Sequence, residues 1–311
     1  MADDLATTNE DNITQSAGAD TLTITDNLQL QVNDFFDGGD GHDVIVINDP
    51  LFIVDLTSAR IGDDVFQWDW GATNGFHNYE GISFGPTGGG VSLDTTFFGA
   101  GFLSNALAVT GAAGESQYVQ VVNGHSLGGI TFSAENWTFT NWDADDFVIL
   151  TSAYNDNVDE TFIGSTGSDE LWGYGGNDTL SGGSGADRLV GGLGRDTMTG
   201  GADSDTFDFD SKNESKKGAA NRDIITDFSG IGGDGDVIDL SGIDAKKGSG
   251  NQAFKFIGTK KFHEKKGELH YKYDAAHDVT VISGDIKGNG KADFEIALTG
   301  QHNLTPDDFV L

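Results

Sequence analysis

The chain lacks cysteine altogether and has only three prolines in 311 residues. Disulfides therefore cannot hold it together, and a bound metal is the usual alternative in small cysteine-free proteins. Basic residues are also scarce, since 17 Lys and Arg stand against 50 Asp and Glu, which gives a formal charge of −33. This balance excludes nucleic acid as a partner, because phosphate binding needs clustered Lys and Arg. No run of eighteen apolar residues occurs, so no transmembrane segment is predicted.

The few basic residues are distributed unevenly. Four are arginines, and all 13 lysines lie between Lys212 and Lys291. The long lysine-free part is acidic and repels itself unless cations neutralise it, so divalent cations are expected to bind there. The first residues, MADDLATTNEDNITQ, have neither the basic nor the apolar region of a Sec-type signal peptide, and such a signal is not predicted.

Glycine, in contrast, is abundant, with 46 residues, and much of it falls into a nine-residue repeat that begins at residue 164. The copies are GSTGSDELW, GYGGNDTLS, GGSGADRLV, GGLGRDTMT and GGADSDTFD. Their sixth residues are Asp169, Asp178, Asp187, Asp196 and Asp205, and their eighth residues are Leu171, Leu180, Leu189, Met198 and Phe207. Each copy is predicted to form a six-residue turn and a three-residue strand, with the eighth residue pointing inward. A flexible linker would not need this apolar column.

Two copies would close one coil of a parallel β-roll, so that turns on the same side recur every eighteen residues. Asp169, Asp187 and Asp205 are then predicted to stack on one edge, with Asp178 and Asp196 on the other. The slot between stacked turns would hold carboxylate and carbonyl oxygens, which are the ligands that Ca²⁺ prefers, and the repeat has the pattern of calcium-binding RTX repeats. We therefore expect several Ca²⁺ ions. The glycines predicted to form these sites are Gly173, Gly176, Gly182, Gly183, Gly185, Gly191, Gly192, Gly194 and Gly200.

Three residues depart from the repeat. Ser165 and Tyr174 replace the second glycine of the first two copies, and Asp203 replaces the fourth-position glycine of the last. Terminal repeats are often atypical, so weaker calcium binding is expected at the outer sites.

A different pattern follows Asp210, with the segments DIITDF, DVIDLSGIDA, QAFKFIG, GELHYKYD, VTVISGDIKGNGKADFEIALTG and LTPDDFVL. Together with the repeats it resembles the serralysin-type C-terminal domain of RTX proteins secreted by type I systems. The resemblance implies a calcium-binding β-roll at residues 155–210, and a β cap with an uncleaved export signal at residues 211–311, where Asp308–Leu311 fits. It also implies the type I secretion machinery as a partner and a location outside a Gram-negative cell. Asp285, Asn289, Gly290 and Asp293 have the spacing of a further oxygen-ligand loop, although Lys287 interrupts it.

Residues 1–154 are predicted to form a β-rich amino-terminal module. Asp34 and Asp43, in a degenerate copy of the repeat, are further candidate calcium ligands. Short β-type runs such as YVQVV and DFVIL follow, without a clear helical period. A β-solenoid is favoured over a β-sandwich. The predicted fold class is thus all-β, a parallel β-roll or β-solenoid with a β-rich amino-terminal module and a carboxy-terminal β cap.

One motif suggests catalysis. Gly124–Gly128, GHSLG, fits the nucleophile elbow of lipases and makes Ser126 a candidate nucleophile. The segment after it, ITFSAENWTFTNW, favours strand over helix, and the next histidine is His263 in the cap. We therefore predict a non-catalytic calcium-binding protein with a matrix, adhesion or surface-binding role. A lipase or esterase using Ser126 and a polysaccharide lyase or epimerase stay open, as does binding of polysaccharide or a cell surface through exposed Trp or the cap lysines.

Overall fold

The chain is built almost entirely of short β-strands joined by turns. The computed structural model describes residues 103–113, 116–123, 130–152, 157–246 and 250–311, and the backbone of the strands that precede them. Within these residues the only helix is a 3-10 turn at Pro306–Asp308, and none has the length and apolar character that crossing a membrane requires. The predicted all-β class is confirmed.

Two compact units are distinguished by their internal contacts, one of residues Met1–His125 with Ser133–Ile149 and one of Ser126–Phe132 with Leu150–Leu311. The boundaries predicted at residues 154 and 210 stay a prediction. The strands up to the junction are β1 Asp3–Leu5, β2 Asn12–Thr14, β3 Thr21–Ile24, β4 Phe35–Asp37, β5 Val44–Ile47, β6 Ile53–Asp55, β7 Arg60–Ile61, β8 Asp64–Val65, β9 Gly75–His77, β10 Tyr79–Phe84, β11 Gly89–Asp94, β12 Leu103–Thr110, β13 Gln117–Asn123, β14 Thr131–Ser133, β15 Thr138–Thr140 and β16 Phe147–Ser152.

The first unit is a parallel solenoid. Its longest sheet has the order β1-β3-β5-β10-β12-β15. One row of paired residues crosses it, from Leu22 through Ile45, Ile82 and Val109 to Phe139. Ile82 and Val109 are buried. Trp137 is also buried, so this indole packs in the core and is not an exposed platform for sugars.

The second unit continues with β17 Thr161–Ile163, β18 Asp169–Trp172, β19 Thr179–Ser184, β20 Arg188–Val190, β21 Thr197–Ala202, β22 Thr206–Asp208, β23 Asp223–Ile225, β24 Val237–Asp239, β25 Lys255–Phe256, β26 Glu268–Asp274, β27 Val279–Asp285, β28 Phe294–Thr299 and β29 Phe309–Val310. Odd and even strands of the repeat alternate between two parallel sheets. One contains β17-β19-β21-β23 and the other β18-β20-β22-β24-β29.

The core of the roll is the apolar column that the repeat predicts. Leu171 pairs with Leu189, Leu189 with Phe207, and Phe207 with Ile238. In the opposite sheet the equivalent row is Phe162, Leu180, Met198 and Ile225. All eight side chains are at most 1% exposed, and each contributes roughly 2 kcal/mol of hydrophobic stabilisation by its burial. Stacked coils therefore share one continuous core.

The cap closes the roll at its carboxy-terminal end. β28 pairs in parallel with β23 of the roll, and β26, β27 and β28 form an antiparallel meander with β25 at its edge. β29 pairs with β24. The strand edges at the end of the roll are thus covered, which protects them from pairing with other chains.

Candidate calcium centre

The sixth-position aspartates form two hydrogen-bonded ladders along the roll. On one edge the Asp169 N–H donates to Oδ1 of Asp187 at 2.8 Å, and the Asp187 N–H donates to Oδ1 of Asp205 at 3.0 Å. On the other edge the Asp178 N–H donates to Oδ1 of Asp196 at 2.8 Å. The structure therefore brings the five aspartates together in the two groups that the spacing of 18 residues predicts.

Both ladders continue beyond the nonapeptides. One begins with the Glu160 N–H, which donates to Oδ1 of Asp178 at 2.8 Å, and ends with Asp223, whose Oδ1 accepts from the Asp196 N–H at 2.8 Å. The other ends with Asp236, whose Oδ1 accepts from the Asp205 N–H at 3.0 Å. The repeat does not predict Asp223 and Asp236, because they follow their partners at separations of 27 and 31 residues. Their signal in the sequence is local: Asp223 begins β23 in Asp-Ile-Ile, and Asp236 immediately precedes β24 in Asp-Val-Ile.

Several ladder aspartates have a second carboxylate oxygen that accepts no hydrogen bond from the described residues. Oδ2 of Asp187, Asp196, Asp205 and Asp223 is buried, and no hydrogen-bond partner for it lies among the residues that the structure describes. A buried anionic oxygen without a donor is costly, unless a cation compensates the charge.

Backbone carbonyls lie beside these oxygens because glycine stands at the first position of each copy. A methyl group on Gly182 would lie 2.1 Å from Oδ2 of Asp187 and 2.6 Å from the carbonyl oxygen of Gly200. On the opposite edge, a methyl group on Gly173 would lie 2.4 Å from Oδ2 of Asp178 and 2.7 Å from the carbonyl oxygen of Gly191. Only a residue without a side chain leaves this oxygen-lined space open.

The remaining predicted glycines stand in the same turns. Gly191 and Gly200 approach Oδ2 of the aspartate five residues later, and Gly194 faces the carbonyl of Gly176. Positive φ angles occur at Gly176, Gly183, Gly185 and Gly192.

The three departures from the repeat have different structural consequences. Tyr174 and Asp203 adopt left-handed φ angles of 62° and 78°, so they keep a backbone conformation that normally favours glycine. Ser165 acts differently: its N–H donates to Oδ2 of Asp169 at 2.6 Å and its Oγ donates to Oδ1 at 3.0 Å. The carboxylate of this first copy is therefore already hydrogen-bonded, which sets it apart from the inner aspartates.

Burial and mutual repulsion hold the ladder carboxyls far from their ordinary acidity. Burial, followed by the charges of Asp169 and Asp205, raises the pKa of Asp187 to about 9. Burial, followed by the charge of Asp196, raises the pKa of Asp223 to about 8. Burial is also the largest cause that raises the pKa to about 7 at three further rungs, Asp169, Asp196 and Asp205. Without a cation, the ladders bind protons near neutral pH.

Glu214 adds a carboxylate near the end of one ladder, and the nine-residue repeat does not predict it. Burial raises its pKa to about 7, and its charge contributes to the raised pKa values of Asp196 and Asp223. Its Oε2 accepts the Asp210 N–H at 2.9 Å.

The donor set fits Ca²⁺. It consists of carboxylate and carbonyl oxygens, and in the described part of the chain no three His, Cys, Asp or Glu side chains are placed so that they alone could hold one metal ion. Carbonyls would therefore supply part of the coordination, which Ca²⁺, with its six to eight oxygen ligands, accommodates. The residues that would hold the ions are the ladder aspartates and the first-position glycine carbonyls.

The other candidates have different positions. Asp34, Asp43 and Ser126 lie outside the described residues. In the loop after β27, the buried Asp285 carboxylate accepts the N–H groups of Gly288, Asn289 and Gly290, and Asp293 accepts those of Ile286 and Lys287. The carboxylate oxygens of this loop already accept hydrogen bonds from backbone N–H groups, whereas Oδ2 of Asp187 in the ladder has no donor among the described residues.

Parts of this chain are similar to known protein families and solved structures. Residues 33–46, which include Asp34 and Asp43, match the family model described as RTX calcium-binding nonapeptide repeat (4 copies). No curated protein is significantly similar in sequence. Among solved structures, the AlgE6R3 subunit of the Azotobacter vinelandii mannuronan C5-epimerase is 27% identical over 51% of this chain and 81% of that chain, with a TM-score of 0.37. The AlgE6R2 subunit of the same enzyme is 26% identical over 51% of this chain and 94% of that chain, with a TM-score of 0.32.

The match to the carboxy-terminal domain is the most extensive. Residues 129–311, more than half of the chain, match the model described as Peptidase M10 serralysin C terminal. This range contains both carboxylate ladders and the cap. The chain therefore belongs to the serralysin C-terminal domain family, and it carries RTX calcium-binding repeats.

Proposed function

We propose that this chain is a secreted RTX protein that folds when it meets extracellular Ca²⁺, and that it has a non-catalytic matrix, adhesion or surface-binding role. One observation carries the proposal: in two ladders of buried carboxylates, no described residue donates to Oδ2 of Asp187, Asp196, Asp205 or Asp223. The proposed ligands are Asp178, Asp187, Asp196 and Asp205, with weaker binding at Asp169. Asp223, Asp236 and Glu214 extend the set, and Asp34 and Asp43 would serve in the same way.

The mechanism is a folding switch that depends on charge. Where calcium is scarce, the aspartates of adjacent coils repel each other, because Asp187 stands between Asp169 and Asp205 in one ladder. This repulsion keeps the coils apart and the chain suitable for export. Bound Ca²⁺ supplies positive charge between stacked turns, and its binding free energy becomes folding free energy. Coil stacking then buries the apolar column of Leu171, Leu189 and Phe207.

Membership of the serralysin C-terminal family supports secretion through a type I system to the outside of a Gram-negative cell. Proteins of that location meet millimolar calcium, and extracellular calcium modules bind it with dissociation constants of about 0.1–1 mM. We expect an affinity in that range for the roll.

A calcium titration followed by far-ultraviolet circular dichroism tests the switch. In excess chelator we expect a largely unfolded spectrum, and added Ca²⁺ should produce a cooperative gain of β signal. Mg²⁺ is the matched control and should be far less effective, because it dehydrates reluctantly and prefers a smaller octahedral site. A spectrum that is the same with chelator and with Ca²⁺ would rule out the folding switch.

The catalytic alternatives need their own assay. The calcium-loaded chain and its Ser126→Ala variant should show the same background hydrolysis of short- and medium-chain esters. Incubation with polyuronates should leave their NMR spectra unchanged. Serine-dependent ester turnover would establish a hydrolase, and new unsaturated or epimerised sugar signals would establish a polysaccharide-active enzyme.

A further inference from the structure

The cap carries a basic segment on an otherwise strongly acidic protein. Residues 246–272 contain eight lysines and two glutamates, whereas residues 1–211 contain no lysine. One of the two glutamates, Glu268, is buried and accepts both the His263 N–H at 2.7 Å and a bond from His263 Nδ1 at 2.9 Å. Glu264 is therefore the only acidic side chain that this segment exposes. A positive surface on a chain of charge −33 indicates a specific anionic partner.

Backbone pairing gathers these lysines along one edge of the cap sheet. The Lys255 N–H donates to the Gly267 carbonyl at 2.7 Å, and the Tyr271 N–H donates to the Gly258 carbonyl at 3.1 Å, so the turns between β25 and β26 run beside β26. The side chain of Lys246 crosses Gly267. We call this surface the basic edge; its described lysines are Lys246, Lys255, Lys260, Lys261, Lys265, Lys266 and Lys272.

The lysines of the basic edge are exposed and available to an external anion. All seven are exposed, and none forms an ion pair with a carboxylate of the described residues. Lys287 provides the contrast, because its Nζ is paired with Asp293.

Aromatic rings are interleaved with these lysines. Phe256, next to Lys255, stacks on Tyr271 with ring centroids 6.0 Å apart and planes 8° apart. Phe262, next to Lys261, contacts the His270 ring edge-on with centroids 4.3 Å apart. All four rings are partly exposed. Aromatic faces pack against the C–H faces of sugar rings, whereas lysines attract charged groups on those sugars.

Protection of a sheet edge explains only a small part of this surface. Lysines on edge strands prevent pairing with other chains, but β25 is two residues long and contains Lys255 alone. Lys260, Lys261, Lys265 and Lys266 lie in the turns outside the strand.

We propose that the basic edge binds an acidic polysaccharide, a polymer of sugar rings that carry carboxylates. This inference rests on the surface-binding role proposed above and names the partner and the surface. On the basic edge, lysines alternate with aromatic rings, and this arrangement matches a polysaccharide that carries about one charge per sugar ring. A nucleic acid carries about one charge per 1.7 Å of duplex, so the −33 of the whole molecule repels it more strongly than a polymer with one charge per sugar. A bilayer is a poorer partner, because the Phe256 ring lies flat on Tyr271 and also contacts Phe309, and does not project outward.

The experiment measures binding of the full, calcium-loaded chain to polygalacturonate at constant calcium, by biolayer interferometry at two salt concentrations. The test variant is Lys260→Gln/Lys261→Gln/Lys265→Gln. The matched control is Lys212→Gln/Lys216→Gln/Lys217→Gln, which makes the same change of charge in the loop after β22. Both variants would be checked for the calcium-dependent β spectrum of the parent chain.

We expect the test variant to bind about tenfold more weakly, as three exposed charge pairs would predict, and to depend less on salt. The control should bind like the parent. Because both variants carry the same net charge, a loss in the test variant alone also excludes binding that arises only from Ca²⁺ bridging the carboxylates of the polymer and the protein. Polyglutamate, which has carboxylates without sugar rings, should bind more weakly than polygalacturonate.

Three results would overturn the proposal: no binding by the parent chain, an equal loss in both variants, or equal binding of polyglutamate. Stronger binding to phosphatidylglycerol vesicles than to polygalacturonate would assign the basic edge to a membrane. Failure of the folding switch would be seen separately, because the β spectrum would then not depend on calcium.

Discussion

At the scale of single residues, Asp187 is the clearest example of a side chain whose charge opposes folding until a cation binds. It is 2% exposed and has aspartates on both sides in its ladder. In Asp187→Asn the amide oxygen can still accept the Asp169 N–H, but the charge is lost. Without calcium this variant should be more stable than the parent chain, because the repulsion is removed. With calcium its folding midpoint should need about tenfold more Ca²⁺, because one charged ligand is missing.

Far-ultraviolet circular dichroism checks this reversal of sign: in chelator the variant should show more β signal than the parent chain, whereas in a calcium titration its folding midpoint should be higher. Asp145→Asn is the control, since Asp145 is exposed and lies outside the repeats and the ladders. Destabilisation of Asp187→Asn in both conditions would show that Asp187 is a structural residue only.

Gly182 tests the oxygen-lined space without any change of charge. Ala at this position would place its methyl group 2.1 Å from Oδ2 of Asp187 and 2.6 Å from the Gly200 carbonyl oxygen. The slot must therefore open, and calcium affinity measured by isothermal titration should fall about tenfold or more. Gly232→Ala is the control: Gly232 has a φ of 99° and no atom within 4 Å of the added methyl. It should cost about 1 kcal/mol of backbone strain, and because folding is coupled to binding this strain should weaken the apparent calcium affinity by about fivefold at most.

At the scale of elements, the ladders connect the repeat strands to the cap. Asp223, at the start of β23, and Asp236, immediately before β24, are the last rungs. Asp223→Asn and Asp236→Asn should each raise the calcium midpoint of folding about as much as a substitution within the nonapeptides, because each removes a buried carboxylate from a stacked turn. Asp234→Asn is the matched control, since Asp234 is exposed two residues away. Calcium midpoints identical to that of the control would limit the metal sites to the nonapeptides.

At the scale of the whole molecule, protons and calcium compete for the ladders. The pKa values of about 7 to about 9 in the folded roll exceed the ordinary aspartate value of 3.8, so the calcium-free folded state binds more protons than the unfolded chain. Its stability is therefore greatest in acid and falls as the pH rises through this range. Calcium affinity should change in the opposite sense, because the ligands must lose these protons.

Between about pH 8 and about pH 5 we expect the chelated protein to gain β signal on acidification and the calcium midpoint to rise. Calcium added at neutral pH should release protons, which a pH indicator in weak buffer would detect. A chelated protein that loses stability on acidification over this range would contradict the raised pKa values.

The sequence by itself determined the all-β class, the two edges of the roll and the apolar column. A nine-residue period places every sixth aspartate and every eighth apolar residue at a fixed position in a parallel coil, and neighbouring coils repeat it, as Leu171, Leu189 and Phe207 show. The period also predicted which aspartates share an edge. Only the tertiary structure decided where the ladders end, because Asp223 and Asp236 join them across 27 and 31 residues, separations that the period does not specify. It also decided which oxygens lack donors, since Ser165 bonds the Asp169 carboxylate while Oδ2 of Asp187 remains without a donor among the described residues. The bonding of a carboxylate depends on which backbone amides fold against it, and that is a property of the packed chain.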